Sequence, residues 1–285
     1  MEDKTEIIHA VIEPLNKLTV PVASSAGKTL SDIWELVFGG FGLYIDKKRI
    51  QRTQALEEFK QTLSQNVSAI PPNDLIEPKL SVVGPALEAS KYYFEEKELR
   101  DMFASLIASA LDRRKTVVLH PSYVEIIRQL SSLDAQNLVL FQMKTLPVAK
   151  YWFSRPNGSP APTNTIIFLS NPQEIDIYKQ SVSMEHLRHL GLLEIDFETH
   201  LVSPDAYQAF YETPLFLNFK NIVSNSDTFS AVNIKKGIAR LTTLGEFFLY
   251  VCYPDFPKGP SPSAWPSHLN IGQPVSDVGL RTSAT

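Results

Sequence analysis

The chain has a single cysteine, Cys252, so no intramolecular disulfide framework exists, and a reducing compartment fits. It also lacks a long hydrophobic run. The longest uncharged apolar stretch, Leu36 to Ile45, is too short to span a bilayer and contains three glycines. An excess of positive charge is missing too: the formal net charge of −4 gives no global attraction to nucleic acid or anionic lipid, so such binding needs a local patch. The acidic, polar opening MEDKTEIIHA is unlike a secretory signal, and the expected location is cytoplasmic. No repeat at solenoid periods appears.

Amphipathic helical text is what the chain has in quantity. Hydrophobic residues make up 44% of its 285 residues, enough for two domains with a core that needs neither disulfide nor metal. Helical candidates begin at Glu6–Leu15 and Leu30–Phe38, followed by an interruption at Gly39-Gly40-Phe41-Gly42. Tyr44 to Val67 follows, with Leu56, Phe59, Leu63 and Val67 at helical spacing. Leu80–Tyr93 and Glu95–Arg113 form the next pair. In the second, Leu99, Met102, Phe103, Leu106, Ile107, Ala110 and Leu111 form one continuous stripe that predicts a core-facing helix. His120-Pro121 launches another helix whose inner face is Tyr123, Ile126, Ile127 and Leu130, and Asp134–Met143 continues the series.

The character changes after Lys150. Asn157-Gly158-Ser159-Pro160 marks a loop and Thr165–Leu169 reads as a strand. A helix near Ile177–Leu190 stops at Gly191. Leu192–Phe197 and Gly237–Leu241 read as strands around an irregular insertion at 207–230, and Thr243-x-x-Glu246 is expected to cap a last helix. From Tyr253 onward the composition predicts a disordered Pro-rich tail. The expected fold is mainly α, an N-terminal helical bundle (1–117) packed on a C-terminal winged-helix-like α+β domain (118–253), with a flexible tail (254–285).

Motifs for chemistry are thin. Ala26-Gly27-Lys28-Thr29 imitates the end of a P-loop, but Val22 stands where the motif needs glycine, and a helix N-terminus with an incidental lysine is the preferred reading. His186 and His189, with His200 nearby, have the spacing of metal ligands on a helix, yet no cysteine or well-spaced carboxylate completes a set. His120 has no nucleophile fixed by sequence, and Cys252 sits among apolar residues as an inert thiol would. No catalytic residue, cofactor or metal is therefore expected. The basic cluster Lys47, Lys48, Arg49 and Arg52 is a candidate for phosphate or lipid contact, against a solvated helix face. His186, Arg188, His189, Lys235, Lys236 and Arg240 form a candidate partner or nucleic-acid face, diluted by Glu185, Glu194, Asp196 and Glu198. Leu30–Ile45, followed by KKRIQR, either packs on the helical core or lies at a membrane surface.

Several blocks match known text: EPKL (77–80), GPALEA (84–89), ELRDMFASLIASALD (98–112), HPSYVEIIRQLSSLDA (120–135), and later LGLLEI and LTTLGEFF. In these the chain resembles the bacterial abortive-infection alpha family over residues 45–253. The resemblance implies a role in defence against phage and supplies no catalytic residue. Together with the residue reading it gives a non-enzymatic protein that acts by recognising a protein or nucleic-acid partner. A winged-helix DNA-binding regulator and a membrane-active effector are the alternatives.

Overall fold

A computed structural model describes residues 25–38, 49–142, 144–253 and 280–282. Several expectations lie wholly or partly outside them: the Glu6–Leu15 helix, the glycine cluster at 39–42, the end of the Leu30–Ile45 segment, the start of the Tyr44–Val67 helix, Lys47 and Lys48, Met143 at the end of Asp134–Met143, and residues 254–279 and 283–285 of the tail. The architecture is mixed α+β, with helices and one four-stranded antiparallel sheet. The described residues divide into two compact units: one runs to Ser132 and resumes at Phe247, and the other contains Leu133–Glu246.

The first unit holds α1 (Ser25–Phe38), α2 (Arg49–Ser68), α3 (Leu80–Ser90), α4 (Lys97–Ser109) and α5 (Ser122–Gln129). Gly27-Lys28-Thr29 lies within the opening turns of α1 rather than in a phosphate-wrapping loop. All seven residues of the predicted stripe, Leu99 to Leu111, are buried, as are Leu56, Phe59, Leu63 and Val67 of α2. α4 touches α2, α3 and α5, which explains why its apolar face is so wide. Arg100 is buried within it and pairs with Glu58 of α2 at 2.7 Å while donating to the Phe94 carbonyl.

The second unit begins with α6 (Ser132–Leu140, less its first residue), then a hairpin of β1 (Leu146–Ser154) and β2 (Pro160–Ile167). After it come α7 (Ile177–His189), β3 (Leu193–Asp196), β4 (Thr199–Leu201), a 3-10 turn (Pro204–Tyr211), α8 (Pro214–Ser224) and β5 (Ala231–Leu241). The sheet order is β2-β1-β5-β3. A hairpin therefore stands where a single strand was expected, and its first strand was not anticipated. Pro160 and Pro162 are tolerated because β2 is an edge strand, where a missing N–H removes no ladder bond.

The insertion expected to be irregular is built on aromatic anchors. Tyr151 of β1 donates from its hydroxyl to the Phe210 carbonyl at 2.6 Å and meets the Thr213 hydroxyl at 2.7 Å. Tyr207 donates to the Gly237 carbonyl at 2.7 Å and accepts from the Leu201 N–H. Phe216 and Phe219 pack on Tyr151.

α9 (Thr243–Cys252) follows β5. Its cap is the Thr242 hydroxyl, which accepts from the Gly245 N–H at 3.0 Å, one residue before the expected Thr243. Of the tail, Leu280–Thr282 forms a short strand, β6, antiparallel to β4. Among the described residues no helix is long and apolar enough to cross a membrane.

Two glycines are fixed by different constraints. Gly191 has φ +73° and closes α7 in a Schellman turn, with Leu192 N–H bonded to the Leu187 carbonyl and Gly191 N–H to that of Arg188. Gly245 is conformationally ordinary, but a Cβ there would lie 2.2 Å from the Leu192 carbonyl oxygen. Gly191→Ala should cost about 1 kcal/mol, the αL penalty. Gly245→Ala should cost more, about 2–3 kcal/mol, because backbone must move. Urea midpoints of the two variants measure the order, and a smaller loss at Gly245 would contradict the packing argument.

Candidate functional site

The six residues singled out as a partner face are scattered by the fold. Lys235 and Lys236 are neighbours on β5, so the strand period of 2 sends them to opposite faces of the sheet. Lys235 pairs with Glu198 at 2.7 Å, and Lys236 sits 5.2 Å from the centre of the Tyr207 ring. Arg240 pairs with Glu194, its cross-strand partner, at 2.9 Å. On α7, Arg188 pairs with Glu185 at 2.6 Å. His189 is exposed. Arg49 and Arg52 of the other basic cluster fall in α2, but their side chains lie outside the described residues.

His186 is held rather than free. Its Nδ1 lies 3.0 Å from Oδ2 of Asp134, a buried carboxylate on α6. Next to this pair runs a buried polar network that the sequence reading missed. Asn137 of α6 donates to Gln180 at 2.8 Å and to Ser183 at 2.9 Å, and accepts from Asn171 at 2.8 Å. Ser181 accepts from the Ile166 N–H at 2.9 Å and so fixes α7 to β2. α7 thus turns polar residues inward beside the buried Met184 and Leu187, while Ile177 at its start packs half-buried on the aromatic cluster.

The outward side of α7 is the reverse. Tyr178 and Val182 are 61% and 70% exposed, and Ile175 just before the helix is 90% exposed. Tyr178 and Val182, four apart, lie on one face of the helix. Asp176 fixes where the helix starts, accepting from the N–H groups of Tyr178 and Lys179. A shallow cavity of about 550 Å³ lies near the other end of α7, lined by Arg188, Leu193, Glu194, Ile195, Leu241 and Thr242. Its two charged side chains are each already compensated, Arg188 by Glu185 and Glu194 by Arg240.

The other reactive groups have structural roles. His120 Nδ1 accepts from the Ser122 N–H at 3.1 Å and lies 2.7 Å from the Ser122 hydroxyl, which caps α5. The cap is therefore the histidine ring, and Glu125 pairs with Arg128 at 3.0 Å. Cys252 is buried, and that burial pushes its thiol well up, suppressing the nucleophilic thiolate. Burial likewise pushes the Tyr123 phenol up to about 12. Among the described residues no group of three or more His, Cys, Asp or Glu is placed to hold a metal ion.

The family model for abortive infection alpha matches residues 51–252. The chain belongs to the abortive infection alpha family. No curated protein and no solved structure matches it. The matched span takes in every motif block that carried the resemblance, and both the α6–α7 polar network and the exposed Tyr178–Val182 pair fall within it. In this member of the abortive infection alpha family the distinctive HPSY text is a helix start.

These assignments predict unequal costs. Asn137→Ala leaves Gln180, Ser183 and Asn171 short of partners and should destabilise by about 1–3 kcal/mol. His120→Ala should cost about 1 kcal/mol, the value of a lost cap. Arg188→Ala, which breaks one exposed pair, should cost less than about 0.5 kcal/mol. Thermal melts rank the three, and an Arg188→Ala loss equal to that of Asn137→Ala would refute the ordering.

Proposed function

We propose that this chain is a non-enzymatic abortive-infection protein that contributes to defence against phage by recognising a protein partner through the outward face of α7. The observation that carries this reading is the exposed pair Tyr178 and Val182, on one face of a helix whose inward face is largely polar, with Ile175 exposed just before the helix starts. Keeping large apolar side chains in water forgoes roughly 1.5–3 kcal/mol of burial free energy each. Contiguous apolar surface on an ordered helix marks a contact site.

The β1-β5-β3 order, with α7 feeding β3, supports a winged-helix-like description of this part of the second unit. In that arrangement α7 is the element that faces a partner. Its exposed pair is apolar, and Arg188, Lys235 and Arg240 each have a carboxylate partner, so a protein suits this face better than duplex DNA. The non-enzymatic part of the reading rests on the roles of the reactive groups: His120 caps a helix, His186 is held by Asp134, and Cys252 is buried.

Val182→Asp combined with Tyr178→Asp tests the reading. The variant should melt within a few degrees of wild type, because both side chains are exposed. Plating of phage on cells that express it should show protection lost. Full protection by the stable, folded variant would remove the α7 face from the mechanism.

A further inference from the structure

One face of the sheet is covered by the aromatic insertion; the other is buried at Val148, Ile166 and Ala239 and opens only toward the hairpin end, around Trp152. Along β1, Ala149, Tyr151 and Phe153 are buried on the side of the aromatic insertion, while Lys150, Trp152 and Ser154 alternate with them and stay half-exposed. Register places Lys235 opposite Lys150, and both Asn233 and Pro162 opposite Trp152. Directly opposed residues share a face. The Asn233 amide confirms the geometry by donating to the Ser154 hydroxyl at 2.9 Å. Pro162, Asn164 and Lys235 on this face are exposed.

Charge singles out the same surface. The chain has 31 acidic and 27 basic residues, yet β1, β2 and β5 contain no Asp or Glu; of their four cations Lys150 and Lys235 lie on this face, and Lys236 and Arg240 on the other. Lys150 and Lys235 oppose each other directly, an arrangement that disfavours the sheet. Glu198 relieves Lys235 at 2.7 Å. Lys150 instead lies 4.7 Å from the centre of the Phe197 ring, with no carboxylate partner among the described residues. A local rule broken without full compensation points to use.

We infer that the accessible end of this face, centred on Trp152 and flanked by Lys150 and Lys235, binds single-stranded nucleic acid. One base stacks on the Trp152 indole, Lys150 faces a backbone phosphate, Lys235 exchanges its exposed Glu198 partner for a second phosphate, and the Asn233 carbonyl oxygen accepts from a base edge. An indole on a sheet reaches the π-face of an unpaired base, whereas bases in a duplex are already stacked. This site is separate from the exposed α7 face and does not rest on it.

Fluorescence anisotropy with a labelled oligouridylate of about 12 nucleotides, within the usual site size, tests the inference. Wild type should bind at low salt. Trp152→Ala should weaken binding by about tenfold, and Trp152→Phe should retain most of it. Lys150→Gln with Lys235→Gln should flatten the slope of log affinity against log salt by about 1.4, two contacts at about 0.7 each. Val182→Asp should leave binding unchanged. Circular dichroism checks that each variant is folded, and if Trp152→Ala is not, the phenylalanine and lysine variants decide. No binding at low salt, an unchanged salt slope in the lysine variant, equal competition by base-free polyphosphate, or preference for duplex would overturn the assignment.

Discussion

The second unit depends on the pairing of β1 with β5. Nine consecutive residue pairs, from Leu146↔Ala239 to Ser154↔Ala231, run without a shift. Because side chains alternate with a strict period of 2, this one register sorts every residue on both strands to one of two environments. Tyr151 and Phe153 go to the aromatic cluster with Ile234 and Val232 opposite them. Lys150 and Trp152 go to the other side with Lys235 and Asn233. A one-residue slip would bury the lysines and expose the tyrosine, whose hydroxyl already has two partners. The two hydrogen bonds of Tyr151 and the crossed contacts of Tyr207 to Gly237 and Leu201 therefore act as a lock on register as well as an anchor for the insertion.

α7 shows the opposite economy. A helix that buried Val182 and exposed Gln180 would gain more from the hydrophobic effect than this one does. Buried amide–amide hydrogen bonds each add only about 1 kcal/mol net, but leaving one unmade costs more. Asn137, Asn171, Gln180 and Ser183 satisfy one another only in a single rotation of α7 about its axis. The network thus trades driving force for a fixed rotation, and that rotation is what presents Tyr178 and Val182 to solvent.

Helices with ordinary apolar faces were legible in the sequence. The Leu99–Leu111 and Tyr123–Leu130 stripes read directly as buried surfaces, and Gly191 and His120-Pro121 read as a stop and a start. The family blocks lie in this part of the chain and in the strand–helix ending. β1 was harder because its outward residues include Trp152, which blurs a hydrophobic alternation that Ala149, Tyr151 and Phe153 do carry. α7 was found as a helix, and in its second half Leu187 points inward and Arg188 and His189 outward as apolar spacing implies, but in its first half that rule inverts, with Gln180 inside and Val182 outside. The predicted basic face failed to assemble because Lys235 and Lys236, adjacent in sequence, are separated by the pleat.

The inversion in α7 and the opposed lysines on the sheet share a physical logic. In each case the structure holds an unfavourable group at the surface by satisfying its neighbours internally. Tyr178 and Val182 stay outside because amides occupy the inside. Lys150 stays opposite Lys235 because the continuous β1–β5 ladder fixes their positions and Phe197 and Glu198 soften the repulsion. Neither feature helps the chain fold, since a leucine-lined α7 and a threonine in place of Lys150 would suit the same backbone better. A purely structural account must treat both as accidents of one sequence. A binding account needs only that each surface meet a ligand of matching character, apolar for the helix and anionic with exposed bases for the sheet. The two surfaces lie on different elements, so loss of one should leave the other intact.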